Sequence, residues 1–266
     1  NFSEFLGKDL VYYLSNIFTL DSSLNINTLF SNLKESRLDL PGSVPIIKVT
    51  FHPFNYNKLI IQTRGALYNL DTASLTIEKI AQGVKDFKVK GQEVIFHDDD
   101  AFYTYNLIFR SKSELFKLKN KPAVADFGLG RTNQTVILLD NGELYLLETS
   151  DALKIADKAE IFSLGNNSKF IAFMDNNGAM YVYRIDKKEY TKLETEINEK
   201  IYGFSWYKDN KHLFIQTEAG LYFVEVDNNL PLNTIKLASD VVEYNYESEN
   251  GLLYFSTLTG IFKLEL

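Results

Sequence analysis

Three consecutive aspartates, Asp98-Asp99-Asp100, form the densest charge cluster in the chain. Three carboxylates in one turn could hold a hard cation such as Ca²⁺ through oxygen ligands. Asp98, however, also belongs to a recurring set of short polar residues that stand just before turns: Ser15, Thr63, Asp98, Asp140, Asp175, Thr217 and Thr257. Such side chains accept hydrogen bonds from turn amides and need no ligand, so a solvated turn is the expected reading. A second set of acids recurs at longer spacing. Glu4, Asp86, Asp126 and Glu243 each precede a core aromatic residue, and Lys48, Ile161 and Gly203 occupy the equivalent positions elsewhere. Carboxylates on strands that ring a common axis could converge on a cation or a basic peptide. Buried acids also bond neighbouring backbone amides, because burial demands a partner.

Other catalytic signals are absent. There is no GxSxG turn, HExxH helix, GxxxxGK[ST] loop or EF-hand loop, and Gly128-Leu129-Gly130 alone is too short to define a nucleotide site. His52, His97 and His212 are scattered, with no pair at metal-ligand spacing. Trp206 shares its column with Phe51, Val89, Leu129, Leu164 and Tyr246, which predicts a core residue. The chain has no cysteine, removing disulfides, thiolate nucleophiles and zinc–thiolate sites. That absence favours an exported protein over a cytoplasmic one.

The 266 residues are 45% hydrophobic and 24% charged, a globular composition with a large core. The 28 Lys and Arg against 35 Asp and Glu leave a net charge of −7. That charge repels a phosphate backbone and argues against a nucleic-acid partner. No run approaches the roughly 18 apolar residues of a membrane span. The chain begins at Asn1 rather than Met, so it is expected to be a fragment, tethered to a membrane, if at all, through upstream sequence.

These residues are positioned by a repeat. An apolar run, a short polar turn and a second run with a central aromatic recur as LVYYLSNIFTLD, LIIQTRGALYNLD, VIFHDDDAFYTYN, VILLDNGELYLLE, IAFMDNNGAMYVYR, LFIQTEAGLYFVE and LYFSTLTGIFKLE. The aromatic falls at Phe18, Tyr68, Tyr103, Tyr145, Tyr181, Tyr222 and Phe262, a mean period near 41 residues. Short β-branched and aromatic runs around Asn-Gly or Gly turns are β-hairpins. A third strand precedes each hairpin, centred on Phe5, Val49, Phe87, Phe127, Phe162, Phe204 or Tyr244, and a weaker fourth strand follows several. Residues 25–42 interrupt the period. Leu29, Phe30 and Leu33 there have helical spacing, predicting a short helix near 26–36 that covers the first repeat or docks a partner.

Four antiparallel strands per unit is the β-propeller blade pattern. In period and strand pattern the whole chain resembles the WD40-like propeller superfamily, without its Gly-His and Trp-Asp signatures. It is also similar to the bacterial propellers that follow PEGA-type surface domains. The resemblance implies an all-β, seven-bladed propeller as a single domain, with blades at about 1–42, 43–83, 84–121, 122–158, 159–198, 199–239 and 240–266. The last blade lacks a fourth strand, and the ring is expected to close by packing. A complete fold without a catalytic constellation points to a non-catalytic scaffold for a protein partner at a bacterial cell surface, with no cofactor or metal. The alternatives are a carbohydrate- or small-ligand-binding propeller, or a metal-dependent hydrolase or lyase using the channel acids. Arg64, Asp99, Asn141, Asn176 and Glu218 at the hairpin tips weigh against sugar stacking.

Overall fold

A computed structural model describes residues 4–5, 10–13, 16–19, 46–71, 74, 76–118, 122–130, 134–148, 151–226, 233–248 and 250–266, the first three segments as backbone alone. The expected helix near 26–36, with Leu29, Phe30 and Leu33, lies outside the described residues. Among those described there are strands and turns but no helix.

The chain divides into two compact units, residues 1–121 and 122–266. In the first, β1 (Glu4–Phe5), β2 (Leu10–Tyr13) and β3 (Asn16–Thr19) form a three-stranded antiparallel sheet. Two four-stranded sheets follow. One is β4 (Ile46–His52), β5 (Asn55–Thr63), β6 (Gly65–Asp71) and β7 (Thr76–Val84); the other is β8 (Asp86–Lys90), β9 (Glu93–His97), β10 (Ala101–Asn106) and β11 (Ser111–Lys117).

The second unit opens with β12 (Val124–Leu129), β13 (Gln134–Leu139), β14 (Leu144–Glu148) and β15 (Asp151–Ala156). Next come β16 (Ala159–Leu164), β17 (Phe170–Asp175), β18 (Met180–Arg184) and β19 (Glu189–Leu193). A third four-stranded sheet holds β20 (Ile201–Trp206), β21 (His212–Thr217), β22 (Gly220–Glu225) and β23 (Thr234–Ser239). The last sheet has three strands, β24 (Glu243–Glu247), β25 (Leu252–Thr257) and β26 (Gly260–Glu265).

The columns legible in the sequence are rows of cross-strand neighbours. Tyr68 pairs with Ile61, which pairs with Val49. Tyr145 pairs with Ile137, which pairs with Phe127; the rows Tyr222, Ile215, Phe204 and Phe262, Phe255, Tyr244 run the same way. Within each unit the four-stranded sheets stack face to face, so their two central strands are largely buried and read as unbroken apolar runs. Ala172, Met180 and Val182 of one sheet pack on Phe204, Trp206 and Leu213 of the next. In the first unit, Ile60 and Leu67 pack on Phe87, Val94 and Phe96.

Gly128, in the lone GxG, serves this stacking. A side chain there would lie 2.9 Å from the Phe162 ring of the next sheet, so glycine is required by close approach.

Two β-bulges repeat from sheet to sheet. On the first strand the extra residue is Ile47, Ala125, Glu160 or Tyr202. On the fourth strand it is Ile80, Leu115, Ile155 or Leu237. A bulge re-aims one side chain and strengthens the local twist.

Candidate functional site

Two of the acids expected to share an axis, Asp86 and Asp126, have local partners. Lys48 Nζ donates to Asp86 Oδ1 at 2.7 Å and to the Phe87 carbonyl at 2.7 Å, tying β4 to β8. Both side chains are more than a third exposed, so the pair contributes at most about 1 kcal/mol. Asp126 Oδ1 accepts from the Phe127 amide at 2.7 Å. With Glu160 and Gly203 it lines a shallow cavity of about 270 Å³ between β12, β16 and β20. Glu243 is exposed, and Glu4 is described by its backbone alone. Among the described residues no three His, Asp or Glu side chains are grouped as a metal site.

Asp98 is occupied by its own turn. Its Oδ1 accepts from the amides of Asp100 and Ala101, each at 2.9 Å. Asp99, largely exposed, pairs with Lys85 at 3.1 Å, and Asp100 is exposed. The same geometry recurs along the polar set. Asp175 accepts from Asn177 and Ala179, Thr217 from Ala219, and Thr257 from Thr259. Burial and the neighbouring Asp98 raise the Tyr103 hydroxyl above its usual range.

The column Leu14, Gln62, His97, Leu139, Met174, Gln216 and Ser256 reads in the sequence as a strand end that tolerates any side chain, and the structure assigns two of its members a role. Gln62 Nε2 donates to the Lys85 carbonyl at 2.7 Å, and Gln216 Nε2 to the Val242 carbonyl at 2.7 Å. Each glutamine therefore reaches the residue before the first strand of the next sheet. Gln62 and Gln216 lie 154 residues apart in the chain yet make the same bridge. That recurrence is the signal a residue-by-residue reading misses.

His97, a buried member of this column, is held below the usual histidine range by burial. Burial and the Lys58 charge lower His52 as well. His212 Nδ1 lies 2.7 Å from Asp209 Oδ2, and its ring stacks on Phe223. Trp206 is 3% exposed, and its indole N–H donates to the Ser163 carbonyl at 3.0 Å. Tyr244 donates to Ser205 Oγ at 3.0 Å, and burial pushes its hydroxyl up to about 12.

The fourth strands share a pattern that the hairpin repeat by itself does not reveal. Tyr68, Tyr145, Tyr181 and Tyr222 each face a lysine, respectively Lys79, Lys154, Lys192 and Lys236. In three sheets that lysine opens a Lys-aliphatic-Ala triplet: Lys79-Ile80-Ala81, Lys154-Ile155-Ala156 and Lys236-Leu237-Ala238. The aliphatic residue is the bulge. Tyr103 faces Glu114 instead and carries Lys112 over its ring, 3.6 Å from the centroid.

β26 has no such neighbour among the described residues: β25 pairs one side of it, and the other side is an edge. Phe262 is 44% exposed and Ile261 81%, whereas Tyr145 is 9% exposed and Tyr68 7%. An apolar, unpaired edge invites another strand.

No family model matches the chain, and no curated protein matches it in sequence. Solved structures do match its fold. Hsv2 of Kluyveromyces lactis superposes with a TM-score of 0.58 at 12% identity, covering 95% of this chain and 88% of that one. An oligogalacturonate lyase in complex with manganese gives 0.57 at 11% identity, covering 94% and 82%. PorZ, a bacterial surface component of the type-IX secretion system of Porphyromonas gingivalis, gives 0.54 at 14% identity, covering 97% of this chain and 35% of PorZ. Such distant likeness establishes architecture, not activity, and together with the repeated four-stranded sheets it makes this chain a β-propeller by fold.

Proposed function

We propose that the chain is a non-catalytic, seven-bladed propeller that holds a protein partner, taking an extended segment of that partner as a fourth strand on β26. The observation that carries this reading is the contrast between β26, with Ile261 81% exposed, and the complete sheets, whose third strand is covered by a fourth, in three of them a Lys-aliphatic-Ala strand. Strand addition gives affinity through main-chain hydrogen bonds and specificity through alternate side chains. The partner segment runs antiparallel to β26, sets a lysine opposite Phe262 and follows it with an aliphatic residue and alanine. We place the protein outside the cytoplasm, in keeping with its lack of cysteine and with the surface location in the description of PorZ. No helix among the described residues is long and apolar enough to cross a membrane.

A labelled peptide carrying the sequence of β23 flanked by glycines tests the site directly. Binding should be saturable and should protect the amides of Gly260–Glu265 from hydrogen exchange. Phe262→Asp should abolish it, as should exchanging the Lys and Leu of the peptide. Absence of binding, or β26 amides already protected without peptide, overturns the reading.

A further inference from the structure

A cavity of about 160 Å³ opens between the sheets β16–β19 and β20–β23, away from the β26 edge. Its lining has two chemistries. Val182, Leu193 and Val226 form an apolar wall, with Val182 and Leu193 buried in the core between these sheets. Arg184 and Lys211 also line it. They come from different elements: Arg184 ends β18, and Lys211 lies in the turn before β21.

The arginine is incompletely satisfied. Its Nε is buried and has no hydrogen-bond acceptor among the described residues. The neighbouring carboxylate oxygen, of Asp186, stands 3.9 Å away, beyond hydrogen-bond distance. The guanidinium lies over the Phe170 ring, 5.9 Å from its centroid, which restricts its plane. No carboxylate among the described residues pairs with the Lys211 ammonium within 4.0 Å.

A buried donor without an acceptor is costly and uncommon in native folds. That nitrogen is itself inaccessible, but the Arg184 side chain is 30% exposed and shares the cavity lining with Lys211, so two cations stand there for an anion to answer. The apolar wall excludes inorganic phosphate or sulfate as the best match, because a fully hydrated ion gains nothing from Val182 and Leu193. A cavity of roughly 150 Å³ with apolar walls accommodates a benzene-sized body. We propose that this cavity is a binding site for a small organic monocarboxylate, its carboxylate held by Arg184 and Lys211 and its ring or branched body against Val182, Leu193 and Val226. Arg suits the role because its planar fork meets a carboxylate in two parallel bonds.

Trp206 is the single tryptophan, and its ring centroid lies 5.7 Å from that of Phe170, a residue of the cavity lining. Its emission therefore reports on the site. The test is a titration of the whole chain with 3-methylbutanoate, read by Trp206 fluorescence and by calorimetry, with the neutral 3-methylbutanamide as control. The acid should bind saturably below about 10 mM, and the amide roughly tenfold or more weakly, as expected when a charge-assisted pair is lost. Arg184→Gln should weaken the acid by a similar factor. Lys211→Gln, at an exposed position where folding is not at stake, should weaken it roughly threefold or more. No saturable signal with the acid overturns the site. Equal binding of acid and amide, or acid binding unchanged in both variants, overturns the role of the two cations.

Discussion

In the sheet β20–β23, Tyr222 lies between Ile215 on one side and Lys236 on the other. In the adjoining sheet β24–β26, Phe262 takes the same place opposite Phe255 and has no described strand on its far side. The two aromatics come from the same position of the same repeat. What differs is the strand beyond them and the burial of the sheet as a whole: β21 buries Leu213, Phe214 and Ile215 completely, whereas in β25 only Leu253 is buried and Tyr254 is exposed. Contacts to the neighbouring sheet remain. Tyr244 of the terminal sheet reaches Ser205 of its neighbour, and Leu253 is fully buried beside Phe214 and Leu221. The terminal sheet is therefore joined to its neighbour through Tyr244 and Leu253, while β26 has no partner on its outer side among the described residues.

Core substitutions break this comparison most strongly. Trp206→Ala empties the space between two complete sheets and leaves the Ser163 carbonyl without its donor. It should cost about 3–5 kcal/mol, whereas Phe262→Ala on the open edge should cost less than about 1 kcal/mol. Urea unfolding of both variants gives the ratio. Similar losses would mean that the β26 edge is packed against something.

Alkaline pH probes the inner side of the terminal sheet. Unfolded tyrosine ionises near 10, while burial holds Tyr244 protonated up to about 12. Stability is unaffected by this group below pH 10. It falls between pH 10 and 12, where the unfolded chain has released the proton and the folded chain has not. The loss from this group should reach about 2–3 kcal/mol. Comparing urea midpoints of the parent and Tyr244→Phe across that range isolates it; parallel curves would show that Tyr244 is not sealed against Ser205.

The two glutamine bridges give a finer contrast. Gln62 is 2% exposed, so Gln62→Leu should cost about 1–3 kcal/mol by stranding a buried carbonyl. Gln216, half-buried, bonds the same position on the terminal sheet, where water can replace it. Gln216→Leu should cost under about 1 kcal/mol by the same measurement. Smallest of all is Lys236→Ala, which removes the lysine facing Tyr222. It should lower stability by roughly 0.2–1 kcal/mol, and its thermal midpoint should barely move.

Much of this was legible in the residues. The aromatic and core columns coincide with the observed registers, because a strand buried on both faces must be apolar throughout and its central position recurs with the repeat. The polar residues before the turns were legible for a local reason: an Asp or Thr side chain reaches only amides two or three residues away. The glutamine bridge was not, since in the sequence Gln62 and Gln216 share a column with Leu139 and Met174. Nothing local distinguishes a glutamine that reaches the next sheet from a leucine that packs on it. The Lys-aliphatic-Ala triplets stood in the sequence but carried weak strand character, because an outer strand needs only one apolar contact, at its bulge.

The sequence by itself determined that the chain is built from repeated β-units, where each hairpin turns and which residues fill the rows between strands. These follow from hydrophobic period and turn chemistry, both local. Only the tertiary structure decided that Lys48 answers Asp86, that Gly128 makes room for Phe162, that β26 has no outer partner among the described residues and that Arg184 meets Lys211 around one cavity. Each of those depends on how one sheet is set against the next, and that spacing is a property of packed faces rather than of any stretch of chain.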